Sequence, residues 1–557
     1  MQDYREVQEE DTVRAAREIW NHCLKTLLSN FSGEAFPTEN LSVGMKCYRT
    51  DEKKTYTLKE IDPPEWEVDG SGEMPPVTKE TVQSVAFYVR TLMPSLSERV
   101  TDWSALFSGC RALETIDLRV LGYGADVTNI SFLFRNCNSL LSILHLERKA
   151  FCISEPNFVV EANGAVTDNR AANKEKAKLT VAAYLLNGCE SLPEANVGKL
   201  NVAKVAVFDE MFAGCRKLEA IDVSQWDVGE ATSMRRMFAG CESLKTLDTS
   251  RWDVSKVKVF SELFKGCGNI VRLKLAAWDT SSATSTAQMF ENCASLEALD
   301  LSSFDLRNVT TTSGMFRNCT ADGGIKTGAN TFNMPHCEDL SYMFAGYSAS
   351  PEMDMRDIRA NELRRIVCTG AVDMSHMFDR YCGYTETYQE ANGKRITGLT
   401  ISLKTPNLLS TACMFQSVPH AYLDVKLDMG KVEDVSRMFW GAACKSIRLR
   451  DFDTSSVKVQ EYNFPIRQSD GMKDLFRNCS KLEYLILDDD YYAGGGNPFR
   501  FKLLYDVLAD LPATCKILVY PSRLDAYKTA DYWKDHIGQI ESMASYDIDG
   551  AVVSPKK

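Results

Sequence analysis

Between Met211 and Leu306 the apolar positions return every 26 residues. Met211, Phe212, Cys215, Leu218, Ile221 and Trp226 come back as Met237, Phe238, Cys241, Leu244, Leu247 and Trp252. Leu263, Phe264, Cys267, Leu273 and Trp278 make a third copy, and Met289, Phe290, Cys293, Leu296, Leu299 and Phe304 a fourth. Polar positions keep the same step: Asp222, Ser224 and Asp227 recur as Asp248, Ser250 and Asp253, then as Asp300, Ser302 and Asp305. A fixed period of this length predicts a solenoid, because one unit can bury its apolar side only against the next.

Within a unit the apolar spacing changes. Leu218, Ile221 and Val223, like Leu244 and Leu247, sit in short segments with polar neighbours between, which predicts a strand on each rung. The segment Ser233 to Cys241 has helical spacing and predicts a short helix or 3₁₀ turn on the opposite wall, with Trp226-Asp227 at the corner. Stacking gives an α/β leucine-rich-repeat solenoid, with a parallel sheet on one face, short helices on the other and a rise of roughly 4.8 Å per rung. Units begin at Phe107 and Phe134. Cys137 and Cys189 are two periods apart, which predicts a degenerate unit inside Glu147 to Lys178 with Asn163 in the cysteine's place. After Phe316 the period loosens, to 28, 34, 37, 24 and 37 residues between successive phenylalanines up to Phe476, so extra residues enter some units.

The ends read differently. Glu10 to Ser29 predicts a helix whose Val13, Ala16, Trp20, Cys23 and Leu27 share one seam, equally suited to self-association or to packing within its own domain. Ser32-Gly33 ends that helix. Lys46 to Arg49 and Thr55 to Lys59 flank the turn Asp51 to Lys54 as two strands, with Trp66 closing the unit. Gly70-Ser71-Gly72 and Pro75-Pro76 make a linker. The division expected is 1–70 as an attachment and oligomerisation module, 71–103 as linker and N-terminal cap, 104–490 as repeats, 491–545 as a C-terminal cap of strand and Tyr/Trp-bearing helix, and 546–557 as a loose tail.

The repeat sentences LEAIDVSQWDV with MFAGC, LKTLDTSRWDV, and LEALDLSSFDL with MFRNC resemble the leucine-rich repeats of BspA-type bacterial surface proteins, in the variety of about 26 residues found also in mycoplasma, Listeria and gut bacteria. That resemblance implies the fold strongly and adhesion weakly, since one fold hosts many activities. LPATCKILVYPSRLDAYKTADYW resembles the terminal cap of the same proteins. Ser29-Asn30-Phe31-Ser32-Gly33, Pro37, Gly44-Met45, Arg49-Thr50-Asp51 and Trp66 resemble a short segment near the N-terminus of phage and prophage tail fibres. This second likeness implies a particle-borne receptor-binding protein located on a virion tail, docking other tail or baseplate proteins through its N-terminal module and assembling as a homotrimer. The alternative is a bacterial cell-surface adhesin or scaffold.

Composition narrows the choice. With 44% hydrophobic and 25% charged residues over 557 positions the chain is foldable, and its net charge of −12 argues against a general nucleic-acid or anionic-membrane binder. No apolar run approaches the length of a membrane span, and the start lacks the basic and then apolar regions of a secretory leader, so neither membrane insertion nor export by the usual route is expected. Of the 18 cysteines, Cys110, Cys137, Cys189, Cys215, Cys241, Cys267, Cys293, Cys319 and Cys479 hold one repeat position. Such a ladder predicts reduced thiols filling the core.

No catalytic or phosphate-binding motif is present and the six histidines are scattered, so a non-enzymatic protein without cofactor or metal is expected. The row Asp222, Asp248 and Asp300 suits a cation or basic ligand, but a carboxylate bonding its own corner accounts for it better. Asp488-Asp489-Asp490 before Gly494-Gly495-Gly496 reads as an acidic turn rather than a calcium loop. Trp226, Trp252 and Trp278 read as core rather than a sugar site. A host-surface receptor, protein or glycan, is expected on the inserted C-terminal loops, where Tyr381, Tyr384, Tyr388, Tyr462, Phe464 and Arg467 offer recognition anchors. Lys426 and Arg448 are expected beside them, replacing the aspartates on the strand face.

Overall fold

The structure is a computed structural model describing residues 31–33, 46–49, 54–61, 64–68, 101–111, 113–118, 124–160, 165–321, 324–348, 366–383, 386–389, 395–458, 470–488, 503 and 507–556. It is a parallel β-solenoid of about 14 turns with few helices. The chain divides into two compact units, the first comprising 1–257 with 263–278 and the second 258–262 with 279–557.

The first unit opens with a four-stranded sheet of β1 (Phe31–Gly33), β2 (Lys46–Arg49), β3 (Lys54–Ile61) and β4 (Pro64–Val68). The expected hairpin is β2 against β3, antiparallel, and Trp66 lies opposite Leu58 on β4. Ser32-Gly33 is strand rather than helix end, because β1 pairs parallel with β2. The seam Val13, Ala16, Trp20, Cys23 and Leu27 lies outside the described residues.

The rungs of this unit carry β5 (Thr115–Asp117), β6 (Ser142–Leu144), β9 (Glu194–Ala195), β10 (Ala220–Ile221), β11 (Thr246–Leu247) and β12 (Arg272–Leu273), while β7 (Phe158–Val160), β8 (Val166–Asp168) and helix α1 (Arg170–Lys176) lie between β6 and β9. Pairing is parallel and keeps the sequence period, with Ala220 opposite Glu194 and Leu247 opposite Leu273.

Turns form the wall opposite the strands where a short helix or 3₁₀ turn was expected. The N–H groups of Met237, Ala239 and Cys241 close back on Met234, Arg236 and Phe238, while those of Phe238 and Gly240 reach the next rung at Leu263 and Lys265. A helix would keep all five donors to itself; here alternate donors hold one rung to the next. Alternation requires left-handed backbone twice per rung, as at Arg236 (φ 55°) and Gly240 (φ 72°). The second of these falls on Gly214, Gly240, Gly266, Asn292 and Asn318, the residue types that adopt it readily. At the first stand Glu210, Arg236 and Gln288, each carrying on the order of 1–2 kcal/mol of backbone strain.

Apolar side chains of equal rank stack through the stack's interior. Phe212 and Phe238 lie 5.3 Å apart, and Trp226, Trp252 and Trp278 follow one another at 6.3 Å, each indole N–H donating to a carbonyl of the preceding rung. The 16 cysteines from Cys110 to Cys515 are free thiols. Along the ladder Cys137, Cys189, Cys215, Cys241 and Cys267 donate to the carbonyls of Phe107, Phe134, Leu186, Phe212 and Phe238 at 2.9–3.2 Å. Burial pushes the thiols of Cys215 and Cys267 up to about 12 and that of Cys241 well above 9, so they stay neutral.

The long gap before Cys189 holds no hidden rung. Phe134 and Asn136 donate directly to Leu185 and Asn187, and the Cys189 thiol bonds Phe134, so those two walls are neighbours. The residues between form an insertion at the corner, containing the β7–β8 hairpin and α1. Asn163 lies outside the described residues.

In the second unit β13 (Leu299–Leu301) pairs with β14 (Ile325–Thr327), and a seven-stranded sheet runs through β15 (Glu386–Gln389), β16 (Arg395–Ser402), β17 (Tyr422–Lys426), β18 (Ser446–Arg450), β19 (Tyr484–Asp488), β20 (Lys516–Val519) and β21 (Ile540–Ser542). All its neighbours are parallel except β15 with β16. Helix α2 (Leu524–Thr529) packs Tyr527 edge-on against Trp533 in the terminal cap. The expected loose tail is a hairpin of β22 (Tyr546–Asp549) and β23 (Val552–Pro555). Its turn lies on the strand face, where Ser446 and Arg448 donate to the carbonyls of Ala551 and Gly550.

Candidate functional site

The corner insertion of the first unit builds a groove of about 610 Å³ on the strand side of the rungs. One wall is Ile143, Leu144, His145 and Glu147, at and after β6. A second is Ile153 to Pro156 of the insertion. The floor and far wall are Glu194 to Asn196, Gly198 and Lys199 after β9, with Asp222 and Gln225 of the following rung. At Gly198 a Cβ would sit 2.9 Å from the Asp222 carbonyl oxygen, so glycine lets these two rungs approach.

The insertion is held in place by buried amides. Asn157 donates to the Gln225 carbonyl at 2.6 Å and the Phe158 N–H to the Gln225 side chain at 3.0 Å. Buried Asn173 donates to Glu155 and to Asn157, and Asn201 donates back to the Asn173 carbonyl. Two guanidiniums lie over the Phe158 ring, Arg251 at 4.7 Å and Arg170 at 5.1 Å from its centroid. At the edge Lys174 and Lys256 both pair with Glu230, and their hydrogen bonds hold its carboxyl down at about 2. Arg170 likewise lowers Asp168.

The aspartate row serves its corners, as expected. Asp222, Asp248 and Asp300 each accept from the N–H and hydroxyl of the serine two residues on. Two of them are also neutralised from the next rung, Asp248 by Lys274 at 2.6 Å and Asp300 by Lys326 at 2.8 Å. Asp222 meets Asp248 at that step instead, so it has no cation partner among the described residues. Glu155 and Glu194 have none either. The groove thus sets three uncompensated carboxylates around Lys199, an arrangement that favours a ligand carrying basic groups.

Of the residues expected to bind a receptor, the structure describes Tyr381, Tyr388, Lys426 and Arg448. Tyr381 is not on an exposed loop: it fills the ladder position of the cysteines, fully buried among Phe344, Tyr347 and Phe378, because the aromatic residue occupies the space a thiol leaves in other rungs. Burial raises its hydroxyl above the usual tyrosine range. Arg448 is not available to a ligand, being closed in a two-pronged ion pair with Asp488 and covered by the C-terminal hairpin. Lys426 is exposed and paired with Asp451 at 3.1 Å. Nor do Lys426 and Arg448 share one register position: Asp424 lies opposite Arg448, and Lys426 opposite Arg450, which itself grips Asp424. Tyr388 belongs to β15, opposite Ile396. Tyr384, Tyr462, Phe464 and Arg467 lie outside the described residues. The groove residues Glu155, Glu194, Lys199 and Gln225 went unmarked in the sequence because the 52-residue gap matched two periods and concealed the insertion.

Among the described residues no group of three or more His, Cys, Asp and Glu is placed to hold a metal ion, and no helix is long and apolar enough to cross a membrane.

Fold and groove together define a repeat solenoid of the leucine-rich kind with an elaborated corner. Residues 161–271, 242–357 and 409–484, a little under half the chain, match the family model described as "Mycoplasma protein of unknown function, DUF285". Solved structures with some likeness include the pneumococcal vaccine antigen PcpA (12% identity, 90% of this chain and 98% of that one, TM-score 0.18). Another is the functional domain of InlJ from Listeria monocytogenes, described as including a cysteine ladder (14% identity, 67% of this chain and 66% of that one, TM-score 0.17). No curated protein matches the chain.

Proposed function

We propose that this chain is a non-enzymatic recognition protein that attaches to a cell-surface receptor, with the groove of its first unit as the contact site. The observation that carries the reading is the insertion. Rungs stack without it, yet a buried chain of asparagines fixes it rigidly beside them, and rigid walls lower the ordering cost of binding. The ligand class that suits the groove is a protein segment bearing Lys or Arg, drawn by Glu155, Glu194 and Asp222.

The setting we favour is a phage or prophage tail, with the N-terminal module docking other tail proteins and joining copies of the chain. In its support, the stretch resembling tail-fibre segments forms a sheet of its own, β1 to β4, with the hairpin at the expected residues. A bacterial surface adhesin is the alternative setting. Labelled chain bound to panels of bacterial and host cells tests the function: Glu155→Gln with Asp222→Asn should weaken attachment at least tenfold at low salt, and unchanged attachment would place the contact elsewhere. Mass spectrometry of purified particles against shaved cell surfaces decides the setting. Light scattering on the full chain and on a chain beginning at Pro75 decides the assembly, and equal monomeric masses would reject oligomerisation through the N-terminal module.

A further inference from the structure

A second concavity lies on the turn wall of the second unit. It is a pocket of about 360 Å³ lined by Gln416, Arg437, Trp440, Asp474, Arg477 and Asn478, a size at the lower end of small-ligand sites. Gln416, Trp440 and Arg477 hold the same place on three successive rungs, as the bonds from Ser417 to the Trp440 carbonyl and from Gly441 to the Arg477 carbonyl show. On other rungs that place holds residues as different as Ala213, Ala239, Lys265, Arg317 and Asp379. The stack therefore has no need of an indole there, and Trp440, unlike buried Trp226, Trp252 and Trp278, is only partly covered. Its N–H and the side-chain amides of Gln416 and Asn478 make no hydrogen bond among the described residues.

The charges are arranged around it. Asp474 accepts from Arg437 at 3.3 Å and from Arg477 at 3.0 Å, which fixes both guanidiniums at the rim. Two cations on one carboxylate leave a net positive charge, and each guanidinium keeps N–H groups pointing away from Asp474.

We propose that this pocket binds a pyranose carrying a carboxylate, of the uronic or sialic acid type. The indole offers a flat apolar face for the C–H side of a sugar ring. Gln416 and Asn478 each supply a donor and an acceptor for neighbouring hydroxyls. The remaining guanidinium N–H groups of Arg437 and Arg477 match the planar carboxylate. Trp and Arg are also the side chains whose loss most often abolishes binding at a contact. The site rests on the reading of the chain as a recognition protein and adds a glycan class to it, at a place separate in sequence from the acidic groove.

Isothermal titration of the full chain with glucuronate, N-acetylneuraminate and glucose tests the site. An acidic sugar should bind at least tenfold more tightly than glucose, and Trp440→Ala and Arg477→Gln should each weaken it at least tenfold while the thermal midpoint stays within a few degrees. The site is overturned if no acidic sugar binds, if glucose binds equally well, or if both variants bind as the native chain does. Where Trp440→Ala unfolds, Arg477→Gln and Asn478→Ala decide in the same way. Cell attachment run in parallel separates the two readings: attachment by a native chain that binds no sugar removes this pocket alone, and acidic-sugar binding without attachment removes the proposed function and leaves the pocket.

Discussion

Acid should weaken the second unit through His420. Its side chain is fully buried, one ring nitrogen lies 2.6 Å from the Gly383 carbonyl, the other has no partner, and the Tyr381 ring lies 6.2 Å away. Burial, opposed only by that one hydrogen bond, lowers the imidazole from 6.5 to about 4. Between those two values the unfolded chain binds a proton that the folded chain refuses, so stability rises with pH across the window. The contribution is whole above pH 6.5 and falls away as the pH drops toward 4. At pH 5 the loss comes to about 2 kcal/mol, and by pH 4 it approaches 3 kcal/mol. His376 does not blur the window. The hydrogen bond with Asp379, then contact with Cys413, raise it to about 9, so its contribution is complete below 6.5 and is lost only as pH climbs from there toward 9. Carboxylates such as Glu230 and Asp168, held low by Lys174 and Arg170, titrate alike whether or not His420 is present. Hydrogen exchange suits a repeat stack, which need not unfold all at once. The amides to follow are those of Phe378 and Phe415, bonded to Met414 and Met438 of the next rung. Their opening free energy, corrected for intrinsic exchange, should fall by about 2 kcal/mol from pH 6.5 to pH 5 in the native chain and by under about 0.5 kcal/mol in His420→Phe. An equal fall in both chains would refute the assignment to His420.

Four further outcomes follow. Cys241→Ser and Cys241→Ala should lie within about 1 kcal/mol of each other in denaturant unfolding, because a hydroxyl inherits the acceptor the thiol already uses at Phe212; a serine penalty above about 3 kcal/mol would contradict this. Alkylation of the native chain at neutral pH should mark exposed Cys382 while the neutral ladder thiols stay unmodified, as mass spectrometry would show. Trp252→Ala should cost about 3–5 kcal/mol, and Trp252→Phe distinctly less, since only the second leaves a ring between Trp226 and Trp278. Asn173→Ala should cost about 1–3 kcal/mol and raise hydrogen exchange in residues 153–160 without changing exchange at Phe212, because it cuts the amide chain of the insertion and no bond between rungs.

The sequence made the repeat, the free cysteine ladder, the core tryptophans and the corner aspartates legible because each is a short-range pattern repeated at fixed distance. Where it misled, two physical arrangements share one pattern. Segment Ser233 to Cys241 has the spacing of a helix, yet its backbone donors divide between the rung and its neighbour, and side-chain periodicity does not report where an N–H points. Tyr381 reads as an exposed anchor among polar residues until its place three residues after Phe378 is matched to Cys241 after Phe238. The gap of 52 residues fits a concealed rung as well as an insertion, and only the direct bond from Phe134 to Leu185 separates them. Arg448 depends on the terminal hairpin about a hundred residues away, a relation no local pattern carries.

The left-handed position at the start of each turn has a consequence for variation. It holds Phe132, Tyr184, Glu210, Arg236, Gln288, Tyr342, His376, Cys413, Arg437 and Asp474, residues of every size and charge. The regular bonds that join the wall run through the backbone, so the stack sets no single letter for this column. Neighbours along it interact where chemistry allows: Phe132 stacks on Tyr184 at 4.7 Å, and Tyr342 on His376 at 4.4 Å. A whole rung could be duplicated, removed or exchanged and still dock on either side, bringing its own letter with it. Such a chain can alter the text of one surface by recombination while its architecture stays the same.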